Sequence, residues 1–187
     1  MKKSITYFEN SGEENTDELI SLVKDRLKGS NIKYVAIASA SGESAIKLAN
    51  ALEDVTIINV THHAGFHGPN QLDISEDTRS KLKNMGVVTF VGSHALSGVG
   101  KGIAKQLGGL NPVEIVAQTY RTFSQGIKVC AEITIMLADA GLVPVGEEII
   151  AIGGTGHGVD TAAVITPVNM TKVFDIKFHE IIAMPRN

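Results

Sequence analysis

The sequence has no tryptophan, and aromatic residues make up only 5 % of its 187 positions. A core built on stacked rings is therefore excluded, and apolar packing falls to Ile, Val, Leu and Ala. A single cysteine, Cys130, excludes an intrachain disulfide and any cysteine-based zinc cluster. With 17 basic against 20 acidic residues, no basic excess exists to neutralise a phosphate backbone, so nucleic acid is not expected as a partner. Long hydrophobic runs are also missing. The most apolar stretch, 133–152, is broken by Asp139, Gly141, Pro144, Gly146, Glu147 and Glu148, so no membrane span or membrane partner is expected. Lys2 and Lys3 are followed by Ser4-Ile5-Thr6-Tyr7-Phe8-Glu9-Asn10, which supplies no apolar targeting segment. With a lone thiol, the expected compartment is the cytoplasm.

Glycine, by contrast, is abundant: 19 of 187 residues, against an average of roughly 7 %. Hydrophobic residues at 43 % against 20 % charged exclude disorder of the whole chain. The length fits one domain spanning 1–187, with no linker, repeat or low-complexity segment.

Periodicity gives alternating strands and helices. Strands are expected at 5–8, 32–38, 55–60, 87–91, 148–152, 161–165 and 172–182. Helices are expected at 17–28 (capped by Asn15 or Thr16), from Ser41-Gly42 onward, at 76–84, as a short piece within 92–109, and from Pro112 for some 28 residues to Gly141, with Gly126 as a candidate break. Cys130 lies in the apolar stripe of that last helix and reads as core. The stripe from Val113 to Leu137 reads as core packing or a subunit contact, so a homo-oligomer is a candidate assembly. Strand–helix alternation implies an α/β fold with a parallel sheet covered on both faces. Ligands of such sheets bind outside the carboxyl ends of the strands.

Four strand exits carry the candidate chemistry. The first, Ser39-Ala40-Ser41-Gly42-Glu43-Ser44, places hydroxyls and a glycine at a helix start, where unpaired N–H groups attract an anion; it reads as a phosphate cradle or as a Ser41 helix cap. The second opens with Thr61-His62-His63-Ala64-Gly65-Phe66 and continues as a loop of about fifteen residues, a length that usually marks function. The third is Gly92-Ser93-His94. The last, from Gly153 through Gly154, Thr155, Gly156 and His157 to Gly158, with Asp160 beyond, exposes backbone to a ligand or makes a tight turn; it lacks the Lys-Ser/Thr of a P-loop. Five of the six histidines (His62, His63, His67, His94 and His157) lie on these exits. Neutral imidazoles serve as general bases, metal ligands or hydrogen-bonding loop residues. Two or three of them with Asp73 or Asp160 suit a divalent ion, but the spacings match no zinc motif, so no metal ligands are assigned. No GxSxG nucleophile elbow occurs.

The strand–SASGESA–helix–VTIINVTHH pattern resembles the carboxyl-terminal domain of pyruvate kinase over roughly residues 15–165, as do the long helix, the LVPVG segment and the Glu148–Ile152 strand with its glycine loop. The THHAGF string and the His94 loop resemble instead the stand-alone pyruvate-kinase-C-terminal-like family of small archaeal and bacterial chains. The resemblance implies a three-layer α/β/α sandwich, a mostly parallel sheet with an antiparallel edge strand, and no pyruvate kinase activity, because the catalytic barrel is missing. It further implies a phosphorylated small-molecule ligand, flavin mononucleotide (FMN), as cofactor. Ser39, Ser41, Gly42, Glu43 and Ser44 would hold its phosphate. Thr61, His62, His63, Gly65, Phe66, Ser93, His94, Gly154, Thr155, Gly156 and Asp160 would wall its ring. Two alternatives are carried beside it: a metal- or histidine-assisted hydrolase or transferase using His62, His63, His94 and His157 as acid/base groups, and a regulatory domain sensing a sugar phosphate.

Overall fold

The computed structural model describes residues 2–186. Seven strands form one sheet: β1 (Thr6–Phe8), β2 (Tyr34–Ala38), β3 (Thr56–Thr61), β4 (Val88–Val91), β5 (Ile149–Gly153), β6 (Thr161–Thr166) and β7 (Lys177–Pro185). Six α-helices accompany them: α1 (Thr16–Leu27), α2 (Glu43–Ala51), α3 (Glu76–Asn84), α4 (Gly98–Leu107), α5 (Pro112–Arg121) and α6 (Gln125–Asp139). The strand order is β1-β7-β6-β5-β2-β3-β4. Strands β5, β2, β3 and β4 pair in parallel, as do β1 and β7, and β6 pairs antiparallel with both β5 and β7. The fold is thus a three-layer α/β/α sandwich with a mostly parallel sheet, its antiparallel pairings confined to the two sides of β6. Among the described residues, no helix is long and apolar enough to cross a membrane.

The central strands are mostly apolar and carry no charged residue because both faces are covered. Side chains still alternate. Val35, Ile37, Ile57, Ile150 and Ile152 pack against Leu19 and Val23 of α1, Leu48 of α2 and Leu82 of α3. Ala36, Ile58, Ala151 and Ala163 meet Cys130, Ile133 and Leu137 of α6 on the other face. Burial of one such Ile or Leu stabilises the fold by about 1.5–3 kcal/mol. The small strand residues on the second face let α6 lie close to the sheet. Its Gly126 fits there because an added Cβ would collide with the Thr161 hydroxyl.

Two expected elements differ from the structure. The long helix from Pro112 is two helices, and the break falls at Thr122–Ser124 rather than at Gly126. Ser124 Oγ accepts the Ile127 N–H at 3.0 Å, which caps α6 and starts it anew. The final strand begins later than expected: Met170–Asp175 forms a short 3-10 segment, and β7 follows from Lys177. The loose alternation over 172–176 reflects that turn.

Candidate functional site

Because β2, β3, β4 and β5 run in parallel, Ala38, Thr61, Val91 and Gly153 all end at one edge of the sheet. The four exits of the sequence analysis leave from this edge.

The first exit is tied to the second. Ser39 N–H donates to Val60 O at 3.1 Å, and the Thr61 hydroxyl donates to Ala40 O at 2.6 Å. Gly42 occupies the cap position of α2 in a left-handed conformation, φ 89°, so no side chain at the cap accepts the helix's first N–H groups. Ser41 stands one residue earlier, exposed, with its Oγ 3.4 Å from the Glu43 N–H. Ser39 and Ser44 are buried, and Glu43 is exposed. The packing demands glycine at 42: a Cβ would lie 2.7 Å from Thr78 Cγ2 and 3.1 Å from both Ile74 Cδ1 and Leu82 Cδ1. The α2 start is therefore clamped by α3.

The second and third exits form a cluster of rings. His62 stacks on Phe66 with centroids 3.9 Å apart. His94 lies 5.4 Å from both His62 and His63 and 5.3 Å from Phe66. His67, which the implied ring wall did not include, packs edge-on to Phe66 at 4.9 Å. Asp73 joins the group, with Oδ2 2.5 Å from His62 Nδ1 and Oδ1 2.9 Å from His67 Nδ1. The His67 hydrogen bond, opposed by burial and aided by His62, holds the Asp73 carboxyl below its usual range. Gly65, exposed with φ 87°, turns the chain at this point. Ser93 is exposed.

Burial pushes the His94 imidazole below its usual range; the nearby Glu132 opposes this, and His62, Lys128 and His63 reinforce it. Burial thus favours the neutral form of His94. Glu132 and Lys128 are a buried ion pair on α6 that the sequence reading missed. Its only trace in the sequence is a Lys and a Glu four residues apart within an apolar helix. Glu132 Oε1 also accepts the Leu96 N–H at 2.8 Å, which fixes the segment carrying His94.

The last exit is spent largely on internal packing. Asp160 is fully buried; Oδ2 accepts the Gly12 N–H at 3.0 Å and Oδ1 the Thr161 hydroxyl at 2.8 Å. A Cβ on Gly154 would lie 2.6 Å from Gly158 O, and one on Gly158 would overlap Glu13 Cα. Thr155 is half-buried and Gly156 exposed. His157 is exposed and, among the described residues, stacks with no other ring. The site thus gathers the residues of the first three exits, whereas Asp160 acts as a brace for the amino-terminal segment.

A broad concavity of about 1300 Å³ lies at the opposite edge of the sheet, lined by Lys3, Arg26, Lys33, Asp54, Glu148 and Glu180 among others. Three of its charges already pair: Arg26 Nε is 2.7 Å from Glu180 Oε2 and Lys3 Nζ is 3.7 Å from the same oxygen. The ring cluster, not this larger hollow, concentrates unusual chemistry.

Comparison with known proteins matches residues 17–165 to the family described as pyruvate kinase, alpha/beta domain. Among solved structures, a pyruvate kinase from Cryptosporidium parvum is similar at 14 % identity and TM-score 0.44, covering 82 % of this chain and 23 % of the enzyme. The same organism's pyruvate kinase in complex with ADP is similar at 14 % identity and TM-score 0.44, covering 82 % of this chain and 24 % of the enzyme. A third structure of that enzyme gives TM-score 0.42 at 14 % identity, covering 82 % and 22 %. This chain therefore spans about a quarter of the length of these enzymes. The family match extends over most of the chain, from α1 to the end of β6, and the chain belongs to the pyruvate kinase alpha/beta domain family.

Proposed function

We propose that this chain binds a phosphorylated, ring-bearing small molecule at the carboxyl edge of the sheet, and that the ligand is FMN. One juxtaposition carries the reading. The open N-terminus of α2, with Ser41 beside it, is joined through the Thr61–Ala40 hydrogen bond to the strand exit bearing the His62–Phe66 stack. Amide N–H groups and the helix dipole suit a phosphate. Phe66 keeps 46 % of its surface exposed while one face rests on His62, which leaves ring surface for a planar ligand. No Lys or Arg occurs in 39–44, 61–75, 92–97 or 153–160. A doubly phosphorylated sugar would lack counter-charges there, so a mononucleotide fits this donor set better.

The test is purification without added cofactor followed by calorimetry with FMN and with riboflavin, which lacks the phosphate. FMN binding at least about tenfold tighter than riboflavin, roughly 1.4 kcal/mol, is expected. Ser41→Asp, which places a negative charge beside the α2 start, should weaken FMN by a similar factor while sparing riboflavin. Colourless protein that binds neither compound overturns the reading. Equal affinity for both removes the phosphate from α2. Substitution of Gly42 is unsuitable, since its collision with Thr78 perturbs the fold whatever the ligand.

A further inference from the structure

The ring cluster also contains a donor set of which the proposed ligand would use only the ring face of His62. His62, His67 and Asp73 each offer one ligand atom, and these atoms lie within 4.8 Å of one another. All three come from the single segment between β3 and α3. The segment is braced at both ends: Thr61 is buried and bonded to Ala40, and Ser75 caps α3 by accepting the Thr78 N–H at 3.1 Å. Within it, the Gly65 N–H donates to Gln71 O at 2.9 Å and the Gln71 N–H to Gly68 O at 3.2 Å, so the loop folds back and brings position 73 against positions 62 and 67.

We infer that His62, His67 and Asp73 form a binding site for one divalent transition-metal ion of borderline softness, such as zinc or iron(II). The chemistry of the set is selective. Two imidazoles and one carboxylate suit zinc and iron(II), whereas magnesium and calcium prefer oxygen donors alone. The geometry is close to what an ion needs. Donors bonded to one metal at about 2.0–2.2 Å stand roughly 3–3.5 Å apart. The two Nδ1–carboxylate contacts, at 2.5 and 2.9 Å, need to open by about 0.1–1 Å, and the more distant donor atoms, within 4.8 Å, need to draw together. On binding, each Nδ1 turns its lone pair to the metal and the neutral ring carries its hydrogen on Nε2, the proton formerly shared with Asp73 passing to solvent or to Nε2. Asp73 changes from hydrogen-bond acceptor to ligand. Three protein donors leave one tetrahedral or three octahedral positions for water or a bound molecule. Because His62 also stacks on Phe66, the ion would hold that ring in place.

The site shares His62 with the FMN proposal, but the two fail separately: one is read by flavin absorbance, the other by metal stoichiometry. The full chain is stripped with a chelator and titrated with zinc chloride and cobalt chloride. One equivalent of each is expected to bind, cobalt with a visible d–d spectrum, while magnesium chloride gives no signal. His67→Ala and Asp73→Asn should each weaken zinc by more than about 100-fold, beyond the loss typical of a residue that only orients a ligand. His179→Ala, a histidine on β7, should bind as the parent does. The His67 side chain is 66 % exposed, so its removal leaves the fold intact, which a melting curve verifies. Failure of the stripped parent to bind zinc or cobalt overturns the inference. So does zinc binding that survives both His67→Ala and Asp73→Asn, which would mark adventitious capture by other histidines.

Discussion

Glu132 reaches out of α6 to accept the Leu96 backbone N–H at 2.8 Å while its other oxygen pairs with Lys128. The two side chains of the pair are 3 % and 5 % exposed. One carboxylate thus satisfies an ammonium, a backbone amide and, at 3.5 Å, the Ser97 hydroxyl. Removing one partner of a buried pair leaves an uncompensated charge, at a cost of about 3–5 kcal/mol. Glu132→Ala is expected to lose that much in urea denaturation. Glu132→Gln keeps an acceptor for Leu96 but not the charge, and it should fall between Glu132→Ala and the parent.

Cys130 should be inert in the folded protein. Burial pushes its thiol well above the usual range, and Asp160 adds to the effect. Reagents that attack the thiolate should label it only after unfolding. The pH dependence has a definite sign. Above about pH 8.5 the unfolded thiol ionises while the folded one keeps its proton, so the folded state binds more protons and stability falls as pH rises. The stability advantage of the parent over Cys130→Ala should shrink over that range; a flat difference would remove the thiol as its source.

Two glycines of the last exit should respond differently to the same change. Gly158→Ala collides with Glu13 and must adopt φ 68°, so about 2–4 kcal/mol should be lost through strain and overpacking together. Gly156 has φ 76° but open space around it, and Gly156→Ala should lose only about 1–2 kcal/mol. Urea midpoints of the two variants test this ordering.

Hydrogen exchange should separate α4 from α6. No residue of α4 is buried, and Val99 and Leu107 are 79 % and 82 % exposed. Most of α6, by contrast, lies in the core. Helices with little buried contact open locally at low free energy. The α4 amides should exchange well before those of α6; equal protection would mean that something covers the Val99–Ile103–Leu107 stripe in solution.

The sheet and its carboxyl edge were legible because buried parallel strands such as VTIINV carry a clear apolar signature. The break before α6 was not, because propensity points to Gly126, whereas the Ser124 cap and the Thr161 contact decide it. The ring cluster was foreshadowed by histidines at strand exits, but the pairing of His62 and His67 with Asp73 depends on how the loop folds back, which no spacing rule encodes. Asp160 read as a ligand wall because it follows a glycine run; its partner Gly12 lies 148 positions away and left no local trace.

The reversed sense of β6 has a mechanical consequence. Gly153 and Thr161 are register partners, and the Asp160 N–H returns to Gly153 O at 3.1 Å, so the glycine run is the tip of a hairpin anchored on both sides. It is pressed from behind by Glu13 and Thr16. Such a tip cannot swing without unzipping two interior strands. The glycine hairpin is therefore a rigid flank of the carboxyl edge beside the β2 exit.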